Sequence, residues 1–177
     1  MKKQKFLQYV SHAALAAVLV SSAGGASAVT ATASATVIVP IAITKGADLS
    51  FGKFAPGAGG TITVNTSGVR SVSGVILSSV GSSPSAARFD VTGDNNATYA
   101  ITLTPPTDLI SGSDTMAFTG FSEVGSAPTG ITSGNAATGT LSGAGAQSIY
   151  IGGTLTVASN QATGSYSGTI TCTVEYN

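Results

Sequence analysis

From Ser165 to Tyr176 the chain alternates without a break. Ser165, Ser167, Thr169, Thr171, Thr173 and Glu175 fall on one face, and Tyr166, Gly168, Ile170, Cys172, Val174 and Tyr176 on the other. A period of two is the mark of a strand with one wet and one buried face, and no helix can satisfy it. The same period recurs upstream. Ile149, Ile151, Leu155 and Val157 alternate with Tyr150, Thr154 and Thr156. Tyr99, Ile101 and Leu103 alternate with Thr98, Thr102 and Thr104, and Phe89 and Val91 with Arg88 and Asp90. Shorter candidates are Leu49–Phe51, Ile62–Val64, Val75–Leu77 and Met116–Phe118. Turn signals separate them at Lys45-Gly46, Pro56-Gly57, Gly59-Gly60, Gly93-Asp94-Asn95 and residues 160–164. Residues 122–147, rich in Gly, Ala, Ser and Thr, read as a long loop or an irregular strand pair. Many short strands between Gly-rich turns predict an all-β sandwich or barrel.

Composition narrows the function. Only 8% of the 177 residues are charged, against roughly 25% in ordinary soluble proteins. Ser and Thr contribute 24 residues each. Seven basic residues balance seven acidic ones, so there is no basic footprint for nucleic acid. A single Cys excludes a disulfide framework and a Cys-based zinc site. With 42% apolar residues the chain carries enough to build a core.

The first 28 residues read as an export signal. Lys2, Lys3 and Lys5 precede the short apolar run of residues 13–20, and Ala26-Ser27-Ala28 forms an A-x-A cleavage site. The apolar run is too short for a transmembrane anchor, which needs roughly 20 residues. Cleavage would remove His12, the only histidine, and leave Lys45, Lys53, Arg70 and Arg88 against seven acids. The commonest general base and metal ligand would go with it. The expectation is a protein that is not an enzyme and uses no metal and no cofactor.

Residues 29–39 read as an N-terminal arm, followed by one domain over 40–177. Val29, Ala31, Ala33, Ala35 and Val37 share one face of the arm, and the register continues through Val39, Ile41 and Ile43. Fifteen residues in one register is long for a strand, so the pattern predicts two strands in tandem or a strand plus a free arm. Pro40 is a natural break. Such an uncharged, one-sided segment seeks a sheet edge, in its own domain or in a neighbour's. Alternation alone leaves both open.

Other candidate sites read as structural. Cys172 lies on an apolar strand face and reads as a small buried hydrophobe rather than a reactive thiol. Gly93-Asp94-Asn95-Asn96 offers oxygen ligands but lacks the spaced acids of a calcium loop, and reads as a turn. Asp108 and Asp114 read as solvated loop acids. Gly152-Gly153, inside a strand pattern, predicts a bulge or a close backbone approach. Tyr99, Tyr150 and Tyr166 are the aromatic candidates for ligand stacking, with Tyr99 and Tyr166 on apolar faces that favour the core.

Six stretches carry a family resemblance. They are Leu49-Ser50-Phe51-Gly52, Ala87-Arg88-Phe89-Asp90-Val91-Thr92-Gly93, Thr98-Tyr99-Ala100-Ile101-Thr102-Leu103 and Ile151-Gly152-Gly153-Thr154-Leu155. Gly164-Ser165-Tyr166-Ser167-Gly168-Thr169 and the closing Val174-Glu175-Tyr176 complete them. Together they resemble a family of secreted bacterial proteins, described as a domain of unknown function, related to chaperone–usher pilus subunits and spore-coat-protein-U-like proteins. The resemblance implies an immunoglobulin-like, pilin-type β-sandwich lacking its final strand. It implies that Ile170, Cys172, Val174 and Tyr176 line the resulting groove, and that Val29, Ala31, Ala33, Ala35 and Val37 fill the groove of a neighbour. It further implies self-association into a pilus or fimbria-like polymer, with a periplasmic chaperone and an outer-membrane usher as partners. The setting would be the periplasm and then the surface of a Gram-negative bacterium. The alternative expectation is a self-contained secreted β-sandwich acting as an adhesin, coat component, or carbohydrate- or protein-binding module. The single Cys excludes the disulfide of many pilins.

Overall fold

Alternating residues become strands where a partner edge is within reach, and twelve do so here. The computed structural model describes Gly25 and residues 27–177. Residues 1–24 and Ala26, which carry most of the export-signal reading, lie outside them. Among the described residues there is no helix, and the strands form several antiparallel sheets. In chain order they are β1 (Ala42–Ala47), β2 (Phe54–Ala55), β3 (Gly60–Val64), β4 (Arg70–Ser73), β5 (Ile76–Leu77) and β6 (Ala87–Thr92). Then come β7 (Thr98–Thr104), β8 (Asp108–Ser111), β9 (Asp114–Gly125), β10 (Thr138–Thr140), β11 (Ala146–Val157) and β12 (Thr171–Tyr176).

Strand β11 organises the largest sheet, a curled half-barrel of seven strands. One edge of β11 pairs along its length with β9, from Ser148↔Gly125 to Thr156↔Ala117. Its other edge pairs first with β6 and then with β3. The partner changes at Gly152, between Ile151↔Ala87 and Gly153↔Val64. The β9 ladder is unbroken there, so the two glycines mark a close approach. The Phe121 ring fills the space a Cβ on Gly152 would need, and the Phe118 ring the space beside Gly153. Beyond these, β1 pairs with β6, β4 with β3 and β8 with β9. A second sheet has the order β10-β7-β12, and β2 pairs with β5.

The predicted strands at Ile149–Val157, Tyr99–Leu103, Phe89–Val91 and Ile62–Val64 are all present. Other expectations need correction. The final strand begins at Thr171, not Ser165. Ser167 instead bridges to Ile110 in β8, so residues 158–170 carry the chain from the large sheet to the small one. Alternation persists through that crossing but cannot say which sheet it serves. Residues 122–147, expected as a long loop or an irregular strand pair, hold the end of β9, all of β10 and the start of β11. The signal was hidden because small residues there lie under rings from neighbouring strands. Gly139, for instance, abuts the Tyr99 ring. Leu49–Phe51 forms only an isolated bridge, Ser50↔Ser85. Lys45-Gly46 is no turn but a register shift inside β1, where Gly46 packs against Arg88 and Asp90. Asp108 and Asp114 sit in the β8–β9 hairpin, not in a loop. Residues 27–41 carry no strand, so the expected run from Val29 to Ile43 reduces to β1, starting just after Pro40. Val29, Ala31, Ala33, Ala35 and Val37 are exposed. Alanine is a poor strand former without packing partners.

Two apolar clusters fill residues 37–177, the larger of the chain's two units. One gathers Phe51, Ile62, Val64, Met116, Phe118 and Leu155, and the other Val91, Tyr99, Ile101, Leu141, Ile149 and Ile151. Leu49 and Ile170, both half-buried, pack against both clusters.

Candidate functional site

The seam between the two clusters is open. A groove of about 1010 Å³ runs over it, bounded by residues 45–56 on one side and 161–170 on the other. Its floor is apolar, with Phe51 and Phe118 meeting edge to face at 6.2 Å and Met116 and Leu155 beside them. Leu49, Phe54, Phe89, Leu109 and Ile170 line the walls. One rim is held by side-chain hydrogen bonds. Gln161 Nε2 donates to the Tyr166 hydroxyl at 2.7 Å and to the Thr115 carbonyl at 3.0 Å, and the Tyr166 hydroxyl donates to the Ala162 carbonyl at 2.9 Å. On the other rim, the Arg70 guanidinium donates to the Phe51 carbonyl at 2.7 Å and to Ser82 Oγ at 2.9 Å. The exposed pair Lys45–Asp48, at 2.8 Å, and Lys53 are the charged residues that line it.

Two edge strands flank the same seam. β1 pairs only with β6, and β12 only with β7, so each leaves one edge of backbone groups free. Their apolar side chains, Ile41 and Ile43 on one side and Cys172, Val174 and Tyr176 on the other, are only half-buried against the second cluster. Of the four residues expected to line a groove, Ile170 lines this one. Cys172, Val174 and Tyr176, on β12, do not line it and pack instead against the second cluster.

Tyr176 ties the end of β12 to two other segments. Its hydroxyl accepts from the Asp94 amide at 2.6 Å and donates to the Val39 carbonyl at 2.8 Å. The 93–97 turn is thereby tied to the final strand. Asn96 takes a left-handed φ of 59° there and the Ala97 amide donates to the Asp94 carbonyl.

The other polar groups brace the sheets. Tyr99 is fully buried, its hydroxyl donates to Gln147 Oε1 at 2.6 Å, and burial with the nearby Cys172 pushes its pKa up to about 12. Burial likewise raises the free Cys172 thiol. Tyr150 reaches the Ser126 carbonyl at 3.4 Å. Glu123 accepts from the side chains of Thr66 and Thr129 and from the amides of Thr129 and Gly130, locking residues 129–130 onto Thr66. No group of three or more His, Cys, Asp or Glu residues converges to hold a metal among the described residues, and they contain no helix long and apolar enough to cross a membrane.

The aromatic floor is not legible in the sequence, because Leu49–Phe51 and Met116–Phe118 read as separate short strands and Phe54 carries no pattern of its own. Only the crossing of 158–170 brings a second wall over them. Comparison with curated proteins finds no match. Residues 41–176 do match a family described as a domain of unknown function, DUF4402. That range encloses all twelve strands, and the chain belongs to the DUF4402 family.

Proposed function

We propose that this protein is a structural subunit of the cell surface that assembles into a pilus or fimbria-like polymer by strand exchange. Residues 42–176 act as an immunoglobulin-like sandwich short of one strand. The arm, Val29 to Val37, of another copy fills the open seam. It adds backbone hydrogen bonds along the free edge of β12 and sets alternate side chains onto the apolar floor. The observation that carries this reading is an apolar groove, walled by Ile170 and by Lys45 and Ala47 at the end of β1, together with two edge strands whose apolar side chains stay half-buried. Burying one Val or Ile side chain there contributes about 1.5–3 kcal/mol, and an Ala much less. The Ala-rich centre of the arm therefore acts mainly through its backbone, with Val29 and Val37 as anchors. Export through residues 1–28, escort by a periplasmic chaperone and delivery to an outer-membrane usher complete the proposal.

The test is a chain lacking residues 29–37, purified from the periplasm and titrated with a peptide of that sequence. Strand exchange requires the intact chain to form heat-resistant oligomers and the shortened one to be a monomer whose thermal midpoint rises with the peptide. Two stable monomers with equal midpoints and no response to peptide would refute it. The self-contained binding module would then be the reading to pursue.

A further inference from the structure

Residues 49–87 hold no acid, and Lys53 and Arg70 are their only charged residues, in a chain whose acids equal its bases. The same stretch leaves five large aliphatic side chains in water: Val69, Val72, Ile76, Leu77 and Val80. Among the described residues, only Ile110 joins them outside this stretch and residues 29–39.

Single exposed aliphatics need no explanation, but these adjoin one another. Ile76 and Leu77 form β5 and pair with Ala55 and Phe54 of β2. Just after them, the Ser78 amide donates to the Lys53 carbonyl at 3.1 Å. The chain then passes Val80, 80% exposed, and reaches Gly81, where a Cβ would lie 3.2 Å from Lys53 Nζ. Ser82 Oγ accepts from the Lys53 amide and from the Arg70 guanidinium, both at 2.9 Å. Ile76, Leu77 and Val80 therefore form a tip folded around Lys53, with Arg70 at its base. The ion pairs of the described residues are Lys45–Asp48 and Arg88–Asp90, so Lys53 has no carboxylate partner among them. Glu123, which reaches the stretch at Thr66, is already engaged by four donors.

Successive residues of a strand point to opposite faces. Ile76, at 62%, and Leu77, at 40%, are nevertheless both exposed, so the β2–β5 ribbon is wet on both sides. The flat face of a protein partner would cover one side and leave the other in water. A lipid surface surrounds a tip from all sides, and anionic headgroups complement an unpaired cation in an acid-free stretch.

We propose that this tip docks onto an anionic phospholipid surface: Ile76, Leu77 and Val80 enter the boundary between headgroups and acyl chains, and Lys53 meets the lipid phosphates. The proposal is independent of what fills the groove.

The experiment floats the full chain, purified after export, with vesicles of phosphatidylglycerol and phosphatidylethanolamine and with vesicles of phosphatidylcholine alone. It compares the natural chain with the double variant Ile76→Ser, Val80→Ser, with Lys53→Gln, and with Ile110→Ser on β8 as the control. All share one N-terminus, so differences belong to the substituted residues. Their side chains are exposed, and thermal midpoints close to the natural one would verify that the variants fold. The natural chain is expected to bind the anionic vesicles far better than the neutral ones, and less as salt is raised. The double variant should bind at least about tenfold more weakly. Lys53→Gln should bind about fivefold more weakly, and Ile110→Ser like the natural chain. A natural chain that binds neither vesicle at low salt, or a double variant that binds as well as the natural chain, would overturn the proposal. Equal binding to both vesicles would overturn the role of Lys53. Self-association that the double variant loses, without any vesicle binding, would overturn the lipid and assign the tip to a second copy.

Discussion

At Glu123 burial and hydrogen bonding pull the carboxyl in opposite directions. Burial alone would raise it, but hydrogen bonds from the Thr129 and Thr66 side chains and the Thr129 and Gly130 amides outweigh that and hold it below its ordinary value. A carboxyl lowered on folding lends stability above its unfolded pKa and loses it as pH falls through the folded one. Glu123→Gln should therefore cost about 1 kcal/mol near neutrality, moderated by the solvent that still reaches the group. It should also flatten the loss of stability as pH falls below the ordinary glutamate range, as read by thermal melts at acid pH. Cys172 behaves in the opposite sense. Burial raises its pKa, so the folded protein keeps a thiol where a free cysteine would be partly thiolate. Alkylation near pH 8 should be at least about tenfold slower in the native chain than in denaturant. Equal rates would mean that β12 detaches readily from β7.

Among the elements, β11 was the most legible in the sequence. Ile149, Ile151, Leu155 and Val157 alternate in the open, and all four are buried. Legibility fails where volume is borrowed across strands. Gly139 reads as a loop residue because the aromatic mass over it belongs to Tyr99 on a neighbouring strand. The pair Gly152-Gly153 is the same arrangement seen from the other strand. Gly152→Val should cost about 1–3 kcal/mol, since the Phe121 ring and the Val64 carbonyl occupy the room its side chain needs. A denaturant midpoint lowered at unchanged slope would register it, and an unchanged midpoint would show that the ring swings aside freely.

For the whole molecule, the sandwich-like pairing of polar and apolar faces was readable and the groove was not. Alternation names faces, but an opening depends on which walls fail to meet, and that is decided by residues far apart such as Leu49 and Ile170. Leu49 touches both clusters and the groove wall, so it links fold to function. Leu49→Ala should cost about 2–4 kcal/mol and weaken the response to added arm peptide. Val72→Ala, on the outer edge strand β4, should leave that response unchanged. Equal responses in the two variants would place the peptide somewhere other than the seam.

The pairing of β12 with β7 also has a consequence in time. Their partners, such as Thr104 with Thr171 and Tyr99 with Tyr176, are separated by most of the second half of the chain. Contacts that close such long loops form late, because the entropy of closure precedes the reward. Until they form, the faces of Tyr99, Ile101 and Ile149 stand open to water and to other chains. The β11–β3 ladder of the large sheet closes a still longer loop, so both sheets complete late, and the crowding a newly made chain meets during that interval decides whether it matures or aggregates.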